Sequence, residues 1–260
     1  MAILDELALD SGGAQLTGHL AVPDRQVGTS DVRPGLVLCH GLPSRDPQLS
    51  DSDTYEQLAE RVADELGYTV AAVTFRGCGR STGNFSIAGW IADIRAAVTH
   101  LDEVHDVTDA VLVGAATGGS IAICAGAADE SVRGVATLAA RADFDDWASH
   151  PRRFREHCRR IGVIRDAGFP TSFDAWATEL RTHRPDQAVR RLGSRSLMLV
   201  HGDEDKLVPM ADARRLAEAH GAADVKGVAG AGHRLRDDPR VLALMLGWLD
   251  RQRSEMTTSR

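Results

Sequence analysis

The chain has 260 residues, of which 43% are hydrophobic and 26% charged, and its net charge is −7. These proportions describe a globular chain long enough to bury a substantial core, and the acidic balance argues against a nucleic-acid surface. The four cysteines (Cys39, Cys78, Cys124, Cys158) show no paired spacing, so buried thiols are expected, with no metal, disulfide or cofactor. The opening MAILDELALD is acidic, unlike a signal peptide, and no apolar run approaches a membrane span. A cytoplasmic protein with no membrane partner is the default expectation.

Two alternating runs, Ile3–Leu9 and Gln15–Val22, flank the turn Asp10-Ser11-Gly12-Gly13 and predict an opening β-hairpin. Gly35–Cys39 predicts a strand that ends at His40-Gly41. Tyr55, Leu58, Val62 and Leu66 recur at helical spacing behind Asp51, Ser52 and Asp53, which are available as caps. Val70–Phe75 predicts a buried strand. The glycine-rich loop Arg76–Gly83 follows, then a helix marked by Ile87, Trp90, Ile91, Ile94, Val98 and Leu101. Strand Ala110–Gly114, helix Gly118–Ala128 and strand Val132–Leu138 come next. The run closes with strand Ser196–Val200, helix Ala211–His220, strand Val225–Val228 and helix Pro239–Arg251. This alternation predicts an α/β fold, a mostly parallel sheet flanked by helices, in a single domain over residues 1–252. A polar tail, 253–260, is expected to fray.

The alternation breaks once. Residues from about 141 to 192 hold helices but no convincing strand, and are rich in Arg, His, Trp and Phe. Such an insertion is expected to lie over the carboxyl ends of the strands as a helical lid. Phe144, Trp147 and Trp176, with Phe169 and Phe173, would either line a substrate pocket beneath it or anchor it to the sheet. Arg152, Arg155, Arg159 and Arg160 fall at helical spacing and read as a solvated basic face, with recognition of an acidic substrate as the sharper alternative.

The segment Val111–Ile123 reads VLVGAATGGSIAI: a buried strand, a glycine-rich turn and a small-residue helix. That is the form of a nucleophile elbow, the strand-turn-helix that carries G-x-S-x-G. Laid on Gly114-Ala115-Ala116-Thr117-Gly118, the pattern fits everywhere except at its centre, where Ala116 has no nucleophilic atom. Thr117 is a poor substitute, because the elbow needs φ > 0 at its apex and a β-branched residue resists that.

With the elbow, three other motifs complete a resemblance to the α/β-hydrolase superfamily, closest in feel to its serine esterase and dienelactone-hydrolase-like branch. They are LVLCHGLPS (Leu36–Ser44), FRGCGRSTG (Phe75–Gly83), and the pair VHGDEDKLVP and GAGH near the C-terminus. The resemblance covers roughly residues 15–140 and 193–250. It implies that Asp205 is the acid and His233 the base of a catalytic triad, with Ala116 at the nucleophile position and the backbone N–H groups of Leu42 and Thr117 as the oxyanion hole. Asp205 is preferred over Asp203 and Glu204 on the family's spacing alone. His40 and His201 are expected to hold loops. Asp143, Asp145 and Asp146 read as a solvated turn before they read as an alternative acid.

Removing the nucleophile from such a unit costs on the order of 10⁶ in kcat. Three readings stay open. One is an enzyme using the Asp205–His233 dyad as a general base, since family relatives support cofactor-free lyase chemistry. Another is a non-catalytic binder of a small molecule or partner. The third is a serine hydrolase carrying an alanine substitution. Each implies a small-molecule substrate or ligand in an esterase-like pocket, apart from the partner-binding form of the second.

Overall fold

Runs of Val, Leu and Ala buried at nearly every position make the central strands, as a parallel sheet covered on both faces demands. The computed structural model describes residues 1–24, 33–44 and 52–258, the side chains of 52–54 excepted. The strands are β1 (Ile3–Ser11), β2 (Ala14–Val22), β3 (Pro34–Cys39), β4 (Thr69–Thr74), β5 (Asp109–Ala115), β6 (Val132–Leu138), β7 (Ser196–Gly202) and β8 (Asp224–Val228). They form one sheet in the order β1-β2-β4-β3-β5-β6-β7-β8. β2 runs antiparallel to β1 and β4, and every other pairing is parallel. This is the α/β fold expected from the alternation.

The main helices are α1 (Ser52–Leu66), α2 (Ile87–His105), α3 (Thr117–Ala127), α8 (Met210–His220) and α9 (Pro239–Thr258). On one face Val37, Leu112 and Val135 meet Ile94, Leu101 and Ile121 of α2 and α3. On the other, Leu36, Leu38 and Val113 meet Val62 of α1 and Trp248 and Leu249 of α9. The caps expected at Asp51, Ser52 and Asp53 lie outside the described residues and side chains. Among the described residues, no helix is long and apolar enough to cross a membrane.

The C-terminal tail departs from expectation. α9 continues to Thr258 because Gln252 and Met256 are buried, and the Arg253 guanidinium donates to the Leu66 carbonyl. Tertiary contact holds the polar segment helical where its composition suggests fraying.

Between β6 and β7 lie α4 (Asp145–Ser149), α5 (Pro151–Arg160), α6 (Phe173–Thr182), α7 (Pro185–Ala188) and a 3₁₀ turn, Val189–Leu192. No strand occurs there, as expected. The aromatic residues of this insertion stack on one another: Trp147 on Phe154 at 4.1 Å between ring centroids, and Phe144 on Trp147 at 5.2 Å. Phe154 also meets Phe85, and the Trp176 indole N–H donates to the Phe85 carbonyl. Phe85 N–H in turn donates to the Val163 carbonyl, and the Asn84 side chain pairs with Asp166. The insertion therefore shares the core on the α2 and α3 face and grips the segment after β4.

Candidate active site

The connection from β3 leads to β4 on one side, and β5 lies on the other, so the strand order reverses at β3. Open α/β sheets place ligands at such a switch point, beyond the carboxyl ends of the strands. The turns leaving β3 and β5 meet there. Between β5 and α3 only Ala116 intervenes, with φ 48° and ψ −120°. A side-chain-bearing residue in that region costs on the order of 1–3 kcal/mol and persists only when its surroundings fix it. The fixing is visible. Ala116 N–H donates to the Leu138 carbonyl at 2.8 Å, and the Ala116 carbonyl accepts from Ser120 N–H at 3.2 Å. Strand and helix also close to backbone contact: a Cβ on Gly118 would stand 2.2 Å from the His40 carbonyl oxygen, and one on Gly114 2.6 Å from Gly119 N.

The turn after β3 is held by His40. Its Nε2 accepts from Phe75 N–H at 2.9 Å, which leaves Nδ1 as the donor to the Gly41 carbonyl at 2.7 Å. The ring also packs against Phe75 and Trp90. Gly41 abuts the elbow, since a Cβ there would lie 3.2 Å from the Ala116 methyl and 3.8 Å from Thr117 N. Thr117 follows Ala116 directly, Leu42 and Ala116 line one cleft, and among the described residues neither the Leu42 nor the Thr117 backbone N–H has an acceptor. The Thr117 side chain is buried at the first position of α3.

After β7, residues 203–205 are tied to the loop after β8. Glu204 N–H donates to the Ala231 carbonyl and Gly230 N–H to the Asp203 carboxylate. These ties bring Asp205 to His233, whose Nδ1–H donates to Asp205 Oδ2 at 2.8 Å. Asp205 Oδ1 accepts from Leu207 and Val208 N–H at 2.8 and 2.9 Å. Burial alone would raise the Asp205 pKa. The Val208 N–H, the His233 ring and the Leu207 N–H outweigh it and hold the carboxyl below its ordinary range. His201 is buried and braces the same loop, its Nε2–H donating to the Val208 carbonyl at 2.9 Å. Asp203, the rival acid, is spent on Gly230.

Ala116 and His233 open onto one cleft of about 400 Å³, lined also by Leu42, Tyr55, Leu138, Leu207, Leu235, Arg234 and Arg236. None of its lining residues comes from the insertion 141–192. Phe144, Trp147 and Trp176, expected in the substrate pocket, are not among these lining residues: they stack within the insertion and anchor it. Asp143, Asp145 and Asp146 are also elsewhere, paired with Arg184 and Arg215, Arg184, and Arg141 respectively. The four cysteines are buried free thiols, and burial pushes the Cys39, Cys124 and Cys158 thiols well up. None can stand in for the nucleophile. No group of three or more His, Cys, Asp or Glu among the described residues could hold a metal ion. Tyr55 enters the sequence reading only as a mark of helical spacing, and Arg234 and Arg236 do not enter it. The Arg-Leu-Arg that follows His233 was the available signal.

A sheet with this strand order, an elbow at its switch point and a histidine–carboxylate pair facing that elbow together define the α/β-hydrolase class. The sequence model of the "Alpha/beta hydrolase family" matches residues 36–243, and the chain belongs to that family. Among solved structures it is similar to Est1E from Butyrivibrio proteoclasticus, with a TM-score of 0.71 at 16% identity over 98% of this chain and 99% of that one. It is also similar to the alpha/beta hydrolase GrgF from Penicillium sp. sh18 (TM-score 0.72, 18% identity, 97% and 99% covered). The Pyrococcus furiosus esterase Pf2001 gives 0.68 at 14% identity, with 96% and 91% covered. Among curated proteins, none matches the chain by sequence.

Proposed function

We propose that the chain binds a small carbonyl compound in this cleft and acts on it through His233 as a general base, without a covalent intermediate. The observation that carries the reading is that the Asp205–His233 couple and the strained Ala116 open onto the same cleft. Asp205 fixes the ring so that Nδ1 bears the proton and Nε2 has a free lone pair. His233 Nε2 takes a proton from the carbon beside the carbonyl. The electron pair left behind moves onto the carbonyl oxygen, which faces the N–H groups of Leu42 and Thr117. Return of the proton to carbon completes the cycle. A water deprotonated by His233 and attacking an ester is the slower variant of the same chemistry.

The methyl group at residue 116 favours a second reading, a binding protein that has kept the pocket and dropped the chemistry. The two separate in D₂O. Short aliphatic ketones and esters are incubated with the protein, and deuterium entry beside the carbonyl is followed by NMR. General-base action predicts exchange that His233→Ala removes, with no acyl adduct by mass spectrometry. Equal exchange in that variant overturns it. Thermal stabilisation by ligand with no chemical change supports the binding protein.

A further inference from the structure

The cleft shared by His233 and Ala116 is lined by two guanidinium side chains, Arg234 and Arg236, and by no carboxylate among the described residues. This cationic wall stands in a chain whose net charge is −7. Arg236 is held in place: its guanidinium lies 5.3 Å from the centroid of the Tyr55 ring, which lines the same cleft, and its side chain is only 12% exposed. Between the two arginines stands Asp237, its Oδ2 3.0 Å from Arg234 Nη2 and its Oδ1 3.4 Å from Arg236 Nε. The pair thus already accommodates one carboxylate, at the rim, on a side chain that is half exposed. The rest of the lining is apolar, from Leu42, Leu138, Leu207 and Leu235.

We propose that the ligand is a carbonyl compound bearing a carboxylate, whose anionic end is read by Arg236 and Arg234 while its carbonyl faces Ala116. Two features favour this over a neutral ligand. A guanidinium partly desolvated against an aromatic ring gains more from a carboxylate than from a neutral acceptor, and its planar fork can take both oxygens. The Arg234–Asp237 contact is exposed on both sides, a kind that contributes little and yields readily to a competing carboxylate. Where the carbonyl sits rests on the general-base reading above. The charge preference of the cleft does not.

The test uses monoethyl succinate and diethyl succinate, which share an ester carbonyl and differ in one carboxylate. Titration calorimetry of the full chain at low ionic strength is expected to show the monoester binding about tenfold tighter. Arg236→Gln brings that ratio to about one, and Arg236→Lys retains part of it because the charge persists. Asp237→Asn moves it the other way, tightening the monoester, since one competing carboxylate is gone. A purely structural Arg236 would not give opposite signs for the two substitutions. Circular dichroism establishes that each variant is folded. The inference is overturned if the unmodified protein does not discriminate, if Arg236→Gln keeps the ratio, or if neither ester binds. Loss of deuterium exchange with the charge preference intact refutes only the general-base reading. Exchange without the preference refutes only this one.

Discussion

Placing serine at residue 116 asks whether the site lacks one oxygen or lacks more. The backbone at this position already sits at φ 48° and ψ −120° with a Cβ in place, so Ala116→Ser adds no new strain. Gly41 puts no side chain against residue 116, where a Cβ would stand 3.2 Å from the methyl, and that methyl opens onto the cleft. His233 Nδ1–H is committed to Asp205 at 2.8 Å, which leaves Nε2 to take the serine proton. A complete triad is worth on the order of 10⁶ in kcat, roughly 8 kcal/mol of barrier at about 1.36 kcal/mol per tenfold. Even a poorly matched ester should therefore turn over at least about 10³-fold faster in the variant than in the unmodified chain. The assay is p-nitrophenyl acetate hydrolysis, with stopped-flow detection of a p-nitrophenol burst and mass spectrometry for an acetyl group on residue 116. Adding His233→Ala should abolish the gain. A folded Ala116→Ser protein with neither burst nor adduct would mean that the imidazole does not address residue 116, and the reading of the site would fall with it.

Asp205 and Asp212 should give opposite pH responses. The Asp205 carboxyl is held below its ordinary range, so its contribution to stability is present above the unfolded-state value and is lost as pH falls through the folded one. Burial, with Asp143 nearby, holds the Asp212 carboxyl above its ordinary range, so its effect is a loss of stability as pH rises through that window. Urea midpoints should show Asp205→Asn removing part of the loss that sets in as pH falls below the ordinary carboxylate range, and Asp212→Asn removing part of the decline as pH rises above it. In the Ala116→Ser background, Asp205→Asn should also lower kcat about 10⁴-fold, because an amide facing Nδ1 favours the wrong tautomer. Phe154→Ala should cost about 3–5 kcal/mol in urea denaturation, since it removes a ring stacked on Trp147 and Trp176, yet leave ligand affinity at the cleft unchanged. Gly118→Ala should cost about 3 kcal/mol or more, because its Cβ would meet the His40 and Cys39 carbonyl oxygens at 2.2 and 2.4 Å.

The legible part of this protein was local. The elbow, the His40-Gly41 turn and the Asp205 and His233 motifs each occupy a few consecutive residues whose spacing is fixed by one tight turn. Sequence order alone then places them at the ends of successive strands. What escaped was the choice of partner. Phe144, Trp147 and Trp176 mark an apolar surface, but nothing in their spacing says whether it faces a ligand or Phe154 and Phe85. The structure pairs them with each other. Met256 and Gln252 extend α9 through contacts with distant residues that a polar composition hides. Arg234 and Arg236 adjoin His233 in sequence, yet only the fold of the loop turns them toward the cleft.

The backbone at residue 116 holds the elbow in shape with no oxygen on its side chain. No side chain at residue 116 caps α3, and the hydroxyl that does reach the apex belongs to Ser120, which donates to the Ala116 carbonyl at 3.3 Å. The strain is carried by the contacts around it: the Leu138 carbonyl that accepts Ala116 N–H, and the backbone approach of Gly114 to Gly119 and of Gly118 to His40. These belong to the sheet and its first buried helix, where a change of one surface atom in the cleft is not felt. The turn after β3 and the start of α3 are held by the same contacts, which on the proposed reading keeps the Leu42 and Thr117 N–H groups ready to polarise a carbonyl. On the proposed reading, chemistry that needs only polarisation and a base is open to these residues, whereas chemistry that needs an acyl-enzyme is not.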